Sequence, residues 1–461
     1  MFFVLGVVAA KYVTLPDYWL VVALIPLIGW RRGRLLILVS VWLFAFWAGN
    51  FRMHLSVNKE RPIKNLIGQK VTLAGQVGED GYYDSKKRTS FIFQTSRILE
   101  PVDLKIDAPI RVGAFGLASA DRGDQMILSG KLTAGGGNVA AAMYYAKVVD
   151  QKYGQSWLDD TRRSFTSGLN SALPEPEGPF AAGLLIGQRT SIPDNWQQIL
   201  QNAGLSHIVA VSGYNLTILV RFIRRIFRKR SRYQILLFSF LLVGAFMSVT
   251  GNSPSIMRAA IVVALMQIAW FYGRNIKPMV VIGLAAVISA LIDPYLVVRS
   301  VSWYLSFAAF FGVLIIAPLA HRSSKKRVGA LLGLISESLA AELMTLPIIA
   351  MTFGRISLVG IIANVLVVPL VPLAMALCLT SGLAGWLVPG VAGWLALPTH
   401  VLLKAMLKIS QLVATMPGSQ ILINVDIRAA LVIYAVLVVL VLLRIRKRGY
   451  GSSLNIENML R

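Results

Sequence analysis

The sequence predicts a polytopic α-helical membrane protein of about eleven to twelve membrane segments, with a small all-β, OB-like barrel inserted near its start. Three observations carry this. Of 461 residues, 56% are apolar before the 38 glycines are added, whereas soluble domains reach about 45–50% with glycine included. One stretch, 62–152, instead alternates apolar and polar residues with the period of a half-buried strand. Lys plus Arg total 46 against 21 Asp plus Glu, a net charge of +25, while only 15% of residues are charged at all. Charges this scarce and this basic belong at membrane edges or on a small polar part.

The first region, 1–55, holds three apolar stretches, 2–14, 17–30 and 34–50, divided by Pro16 and by Arg31, Arg32 and Arg34. The first two fall short of the ~20 residues of a straight span and suit tilted or partly inserted helices. A cleavable signal peptide fits poorly, because no basic region precedes Phe2 and further apolar segments follow at once.

The second region, 62–152, reads as strands at 70–77, 90–94, 108–115, 125–133 and 141–149, separated by Glu79-Asp80-Gly81, Asp121-Arg122-Gly123-Asp124 and Gly135-Gly136-Gly137. Five strands in about ninety residues suit a closed OB-type barrel. Residues 153–204 form an amphipathic link broken by Pro174, Pro176 and Pro193. From 205 to 447 the chain is membrane-like, with spans expected near 205–220, 234–250, 256–272, 278–293, 301–319, 330–352, 357–388 and 429–443, and 448–461 is a tail. The stretch 357–388, with Pro369 and Pro372, is long enough for a hairpin, and 391–416 reads as amphipathic and interfacial.

Basic clusters orient the chain. Arg221, Arg224, Arg225, Arg228, Lys229, Arg230 and Arg232 form one, Arg322, Lys325, Lys326 and Arg327 another, and Arg444, Arg446, Lys447 and Arg448 a third. With these and Arg31, Arg32 and Arg34 in the cytoplasm, three N-terminal crossings carry the barrel to the outer face. The parity then requires two crossings in 357–388 or one in 391–416.

Several chemistries find no support. Cys378 stands alone, so an intramolecular disulfide and a cysteine zinc cluster are excluded. His54, His207, His321 and His400 are scattered without paired-ligand spacing, so neither a metal nor another cofactor is expected. The nearest approach to a phosphate-binding loop, Leu128-Ser129-Gly130-Lys131-Leu132-Thr133, lacks the upstream glycine and the adjacent hydroxyl. No nucleophile and base stand at recognisable spacing, so a non-enzyme is expected.

Polar groups inside apolar runs are more informative, because an ionisable side chain at the bilayer centre costs about 2.5–3.5 kcal/mol on insertion scales. Arg258, Asp293, Glu337 and Glu342 qualify, although Asp293 before Pro294 also suits a plain helix end and Glu337 an interface. The densest polar patch is Gly204-Leu205-Ser206-His207-Ile208-Val209-Ala210-Val211-Ser212-Gly213-Tyr214-Asn215. Ser212-Gly213 permits a break, and His207, Ser212 and Asn215 supply donors and acceptors for a hydrated path. Close helix packing through small and polar residues accounts for the same string.

This string, preceded by Gly183-Leu184-Leu185-Ile186-Gly187-Gln188-Arg189 and Ile192-Pro193, resembles the core signature of the ComEC competence family. Ser253-Pro254-Ser255-Ile256-Met257-Arg258, Asp293-Pro294, Tyr304-Leu305-Ser306-Phe307 and Phe353-Gly354-Arg355-Ile356-Ser357 with Asn364 follow in family order. The resemblance implies an inner-membrane channel passing single-stranded DNA to the cytoplasm during natural transformation. His207, Ser212, Gly213, Asn215, Ser253, Arg258, Ser306 and Asn364 are then expected along the DNA path. It implies as partners an external DNA receptor and a cytoplasmic ATP-driven motor. The expected form lacks the metallo-β-lactamase-like domain of many members, so no nuclease role carries over and a separate nuclease takes its place. Asn215 stands where many relatives have histidine, so a role for an imidazole there does not carry over.

The barrel can be read beside the family. Single-strand binders combine a cationic groove with aromatic platforms, and Tyr82, Tyr83, Lys86, Lys87 and Arg88 form the expected contact for weak DNA binding. Phe91 and Phe93, two apart, share one strand face and belong to the core. The basic loop Arg221 to Arg232 is explained by topology and by attraction to anionic membrane lipid, with a DNA-exit role as the competing account. Against the channel stands a small-solute transporter or membrane-embedded enzyme capped by the barrel. A transporter built from inverted repeats should show paired broken helices, and no clear repeat is visible.

Overall fold

The computed structural model describes the chain apart from residues 17, 21–33, 84–88, 116, 118–119, 137–138, 155–156, 189–191, 210–212, 228, 252–253, 275–276, 319–329, 358, 424 and 448–461. The chain divides into two compact units, Met1–Asp159 with Gly283–Trp303, and Asp160–Ile282 with Tyr304–Arg461.

In the first unit, α1 (Phe2–Ala9) lies against α2 (Arg34–Asn65). Phe2 stacks on Trp42 with ring centres 4.8 Å apart. The buried Asn50 of α2 donates to Val13 O at 2.8 Å and accepts from Leu15 N at 2.9 Å, satisfying backbone groups where the chain leaves α1. α2 continues well past the apolar stretch 34–50, carrying Arg52, Ser56, Glu60 and Lys64 at four-residue spacing on one face.

The barrel comprises β1 (Lys70–Val77), β2 (Tyr82–Tyr83), β3 (Thr89–Glu100), β4 (Leu104–Ala114), β5 (Gln125–Lys131), β6 (Thr133–Ala134) and β7 (Ala141–Lys152). Strands pair in the order β1-β5-β7-β4-β3, and β3 returns to β1, closing five long strands. Only β4 and β7 run parallel among these pairs. This is the OB-like arrangement expected from alternation, and each expected strand is present. Leu73, Phe91, Phe93, Ile110, Leu128 and Met143 fill one core, the two phenylalanine rings edge-on at 6.4 Å. β3 runs to Glu100, paired with β1 on one side and with the start of β4 on the other, and there Arg97 clasps Asp103 through two hydrogen bonds. Those bonds, and the charge of Arg97, hold the exposed Asp103 carboxyl below its ordinary range. Their small contribution is present above the ordinary carboxylate pKa and is lost as pH falls through the lowered one. Phe93 is fully enclosed, so Phe93→Ala should cost the barrel about 3–5 kcal/mol, measured as a fall in its thermal unfolding midpoint. A shift of under 2 °C would contradict the packing.

α10 (Pro278–Ile292) ends at Asp293, and α11 (Tyr295–Arg299) and the start of α12 (Val301–Phe311) follow. For the second unit, α3 (Trp157–Ala172), α4 (Glu177–Ile186), α5 (Asp194–Asn202) and the short α6 (Ser206–Val209) precede α7 (Gly213–Ile226), α8 (Arg232–Thr250) and α9 (Pro254–Phe271). α12 runs into a wide π-helical turn, Gly312–Ile316, packed against α13 (Ala330–Phe353). A two-residue strand β8 (Arg355–Ile356), α14 (Gly360–Val367), α15 (Val371–Leu387), α16 (Pro389–Leu395), α17 (Leu397–Ala414), β9 (Ile421–Leu422) and α18 (Ile427–Lys447) complete the unit.

Among the described residues, Leu36–Asn65, Arg232–Thr250, Ile335–Phe353 and Gly360–Leu387 are long and apolar enough to cross a membrane, and Pro389–Leu395 with Leu397–Ala414, bent by 53°, makes a fifth if taken as one span. Shorter apolar helices lie at Glu177–Ile186, Ser255–Phe271, Pro278–Ile292, Val301–Ile316 and Ile427–Val441. The chain is a multi-pass membrane protein. Within the stretch 357–388, Gly360–Leu387 forms one continuous helical run rather than a hairpin: Pro369 is absorbed in a 3-10 turn, Val368–Leu370, between α14 and α15.

Candidate functional site

Three segments of the second unit meet at a polar junction: the end of α5, the start of α14 and the middle of α13. α5 closes through Gly204, whose N–H donates to Gln201 O at 3.1 Å and whose φ of +71° favours glycine. A Cβ at Gly204 would sit 3.0 Å from Gly360 Cα, so the two glycines allow the backbones to touch. Ser357 latches this contact: its hydroxyl donates to Asn202 O at 2.9 Å and accepts from Gly360 N at 3.1 Å. One turn into α14, the buried Asn364 donates to Glu342 of α13 at 3.0 Å. The β8–β9 ladder pairs Ile356 with Ile421, and next to it the Gln420 amide donates to the Asn202 side chain.

His207 lies beside this junction on α6, exposed, its Nδ1 3.1 Å from Gly204 O. That contact places the ring proton on Nδ1 and leaves Nε2 as acceptor. The junction thus collects a carboxylate, amides, a hydroxyl and an imidazole inside an apolar helical unit. Ser357 is engaged by backbone on both sides, and the Glu342 carboxylate lies across Gly360 from it, so the junction gathers hydrogen-bond donors and acceptors.

Asn215, 2% exposed on α7, donates to Leu184 O of α4 at 3.2 Å. Gly183 on α4 makes room for the Val209 side chain of α6, which a Cβ would meet at 2.7 Å. Val209 and Asn215 of the second sequence string thus pack on Gly183 and Leu184 of the first. Arg258 is fully enclosed, with 0% exposure, on α9, beside the contact of Ala259, Ala260 and Val263 with Leu216 and Val220 of α7 and Val243 of α8. Arg224 of the basic loop is drawn into the same helices, donating to Gln267 and lying 4.2 Å over the Trp270 ring, both on α9. Ser306 is half-buried on α12, and Gly213 opens α7.

Ser212, Ser253, Lys86, Lys87 and Arg88 lie outside the described residues. Tyr82 and Tyr83 form β2, paired with Ser90 and Thr89. On the barrel a groove of about 760 Å³ lies among Gln76, Gln94, Lys105, Asp107, Asp150 and Lys152, its two lysines matched by two aspartates.

A charged cluster in the first unit was not singled out from sequence. Glu60, 4% exposed, accepts from Lys64 at 2.8 Å and from Arg299 at 3.5 Å, and the Arg299 guanidinium lies 4.0 Å from the Tyr295 ring centre. Arg52 donates to Leu291 O at 2.8 Å and Ile292 O at 2.9 Å, the carbonyls ending α10. Asp293 accepts from Tyr295 N at 3.0 Å and so closes one helix and opens the next, the plain structural role anticipated as its alternative. The four-residue spacing of Arg52, Ser56, Glu60 and Lys64 was the signal available.

The family profile described as Competence protein matches residues 184–448, more than half of the chain. ComE operon protein 3 of Bacillus subtilis (strain 168) is 28% identical over 212 residues, 45% of this chain and 26% of that protein. An uncharacterized protein, YcaI, of Escherichia coli (strain K12) is 26% identical over 225 residues, 46% of this chain and 29% of that protein. The matched region is thus under a third of either relative's length. No solved structure matches the chain. The matched interval contains all of α6 to α17, the polar junction and the enclosed arginine, and on that match the chain belongs to the competence protein family.

Proposed function

We propose that this protein acts in DNA uptake, passing a single DNA strand across the cytoplasmic membrane through the helices of its second unit, with the barrel on the outer face as a docking surface. The observation that carries the reading is the polar junction in the family-matched region: residues 204–207, 342 and 357–364, far apart in sequence, meet through touching glycine backbones and hydrogen bonds within apolar helices. Passage of a polyanion calls for donors and cations weak enough to release it, which amides, hydroxyls and a single arginine supply better than a lysine-lined hole. Arg258 is enclosed, so a strand reaches it only when α7 and α9 part, and this arrangement is a closed state. His207, Ser212, Gly213, Asn215, Ser253, Ser306 and Asn364 belong to the same path. An external receptor delivers the DNA, a cytoplasmic ATP-driven motor draws it inward, and a separate nuclease removes the other strand.

Deleting the gene should abolish entry of labelled DNA into the cytosol while binding at the cell surface persists; unchanged entry would sink the reading. Orientation is checked separately, in a Cys378→Ser background, with cysteines placed at Ser96 of the barrel and Lys229 of the basic loop, both exposed. A membrane-impermeant thiol reagent should label the Ser96 site in intact cells and spare Lys229. The opposite pattern would invert the topology.

A further inference from the structure

We propose that the outer face of β1, β5 and β7 is the barrel's single-strand contact, with bases stacking on Phe115 and Tyr145 and phosphates held by Lys70, Lys131 and Lys147; this rests on the DNA-uptake reading and names the surface the strand meets. Odd residues of β5 point outward, and Ser129 is opposite Lys147 of β7. Lys131 is directly opposite Lys70 of β1, and all three lysines are exposed. Like charges directly opposed across strands destabilise a sheet, so Lys70 facing Lys131 is a cost that the barrel's folding does not explain. Polyanion binding would reverse it.

The rings adjoin these cations. An irregular register between β4 and β7, where Val112 pairs with Met143 and Ala114 with Ala146, leaves Tyr144 and Tyr145 as two consecutive exposed residues. Tyr145 is 72% and Phe115 53% exposed, and their rings stack with centres 5.9 Å apart and planes at 25°. Barrel aromatics otherwise placed as core, Phe91 and Phe93, are enclosed, so this outward pair is an exception to the packing. Along β7, Lys147 follows Tyr145 on the same outward face.

Glu100, which accepts from the Thr72 hydroxyl at 3.0 Å, and Asp150, exposed on β7 opposite the outward Ile127 of β5, border the face. The groove near Gln94 takes in the other end of these strands, with Gln76 of β1, Gln125 and Ile127 of β5 and Asp150 and Lys152 of β7, and there lysines are balanced by aspartates. The excess of cations, and the stacked platform, thus fall at the Lys70, Lys131 and Lys147 end of the β1–β5–β7 face rather than at its groove end. Between the lysines stand the hydroxyls of Thr72 and Ser129, which suit phosphate and sugar contacts and would be poor anchors in lipid.

The test uses the full chain in nanodiscs and a fluorescein-labelled oligodeoxythymidylate followed by anisotropy. Tyr145→Ser combined with Phe115→Ser should weaken binding roughly 5- to 150-fold, the range for loss of a stacked base. Replacing Lys70, Lys131 and Lys147 by Ser should lower the slope of log affinity against log salt by about 2. Lys131→Glu keeps the result from being a folding artefact: it should raise the barrel's unfolding midpoint, by pairing with Lys70, while reducing affinity at least threefold. With p-benzoylphenylalanine in place of Tyr145, irradiation should attach the oligonucleotide. Attachment of phosphatidylglycerol from the nanodisc instead would make this a lipid-facing surface and overturn the proposal. Binding that survives all these changes would overturn it too and leave the uptake reading standing, since that reading falls only if uptake persists without the gene. Absence of any binding by the unaltered chain at low salt would also end it.

Discussion

Glu60→Ala is expected to lower the stability of the N-terminal unit by about 2–4 kcal/mol and to deplete the protein from the membrane severalfold. Removing one partner of a buried ion pair typically costs about 3–5 kcal/mol, because the other charge is left uncompensated. Here the carboxylate is enclosed while Arg299 and Lys64 keep 26% and 33% of their side-chain exposure, so water recovers part of the loss and the cost falls about 1 kcal/mol below that range. Both cations also lie by the Tyr295 ring, Arg299 at 4.0 Å and Lys64 at 5.9 Å. These attractions hold the cations in place but supply no negative charge. Glu60→Gln should lose about half as much, since its carbonyl still accepts one hydrogen bond. In an Arg299→Leu background the Glu60→Ala change should cost measurably less than alone, the signature of residues sharing one interaction. Unfolding of purified protein in detergent gives the numbers; equal costs in both backgrounds would show that Arg299 and Glu60 are neighbours without coupling.

That network also marks what a single sequence conceals. The barrel was legible because its strands are solvated on one face, so Lys70 to Val77 alternates visibly and β1 lies at Lys70–Val77 as read. Strand β3 runs longer than read because the irregular register between Thr95 and Arg97 leaves Ser96 and Arg97 both exposed and breaks the alternation before the buried Ile98, and β4 because it starts on two exposed residues, Leu104 and Lys105. The apolar helices were legible by composition, but composition is blind to which ones meet. The apolar stretch 34–50 covers only the first part of α2, because its later turns carry charges whose partners are not local: Arg52, Glu60 and Lys64 meet theirs about 240 residues later, around α10 and α11. Within the site, Asn364 and Glu342 were separately visible as polar residues in apolar runs, and their hydrogen bond depends on how α13 packs on α14. The closeness of Gly204 to Gly360 has no local sequence signal, since a glycine reads the same in a turn and in a contact.

Arg258→Met is expected to reduce DNA entry at least tenfold per inserted molecule while leaving the protein folded. The substitution is chosen from the burial. Arg258 is the largest of the fully enclosed side chains, so truncation to alanine would open a cavity and confound transport with stability, a loss of about 3–5 kcal/mol for a large buried side chain. Methionine retains an unbranched stem that can fill irregular space and removes the guanidinium. Arginine carries its charge at any physiological pH and presents a fixed fork of donors to phosphate oxygens, so its loss should act on the passing strand once α7 and α9 have parted. Arg258→Lys restores a point charge without the fork and should recover transport only in part. If the arginine serves packing alone, the order changes: methionine should then transport normally for each inserted molecule, and lysine, with a hydrated ammonium in an apolar enclosure, should be the least abundant of the three. Uptake of labelled DNA divided by the amount of inserted protein separates the two orders. Normal uptake per molecule in Arg258→Met would remove this residue from the path.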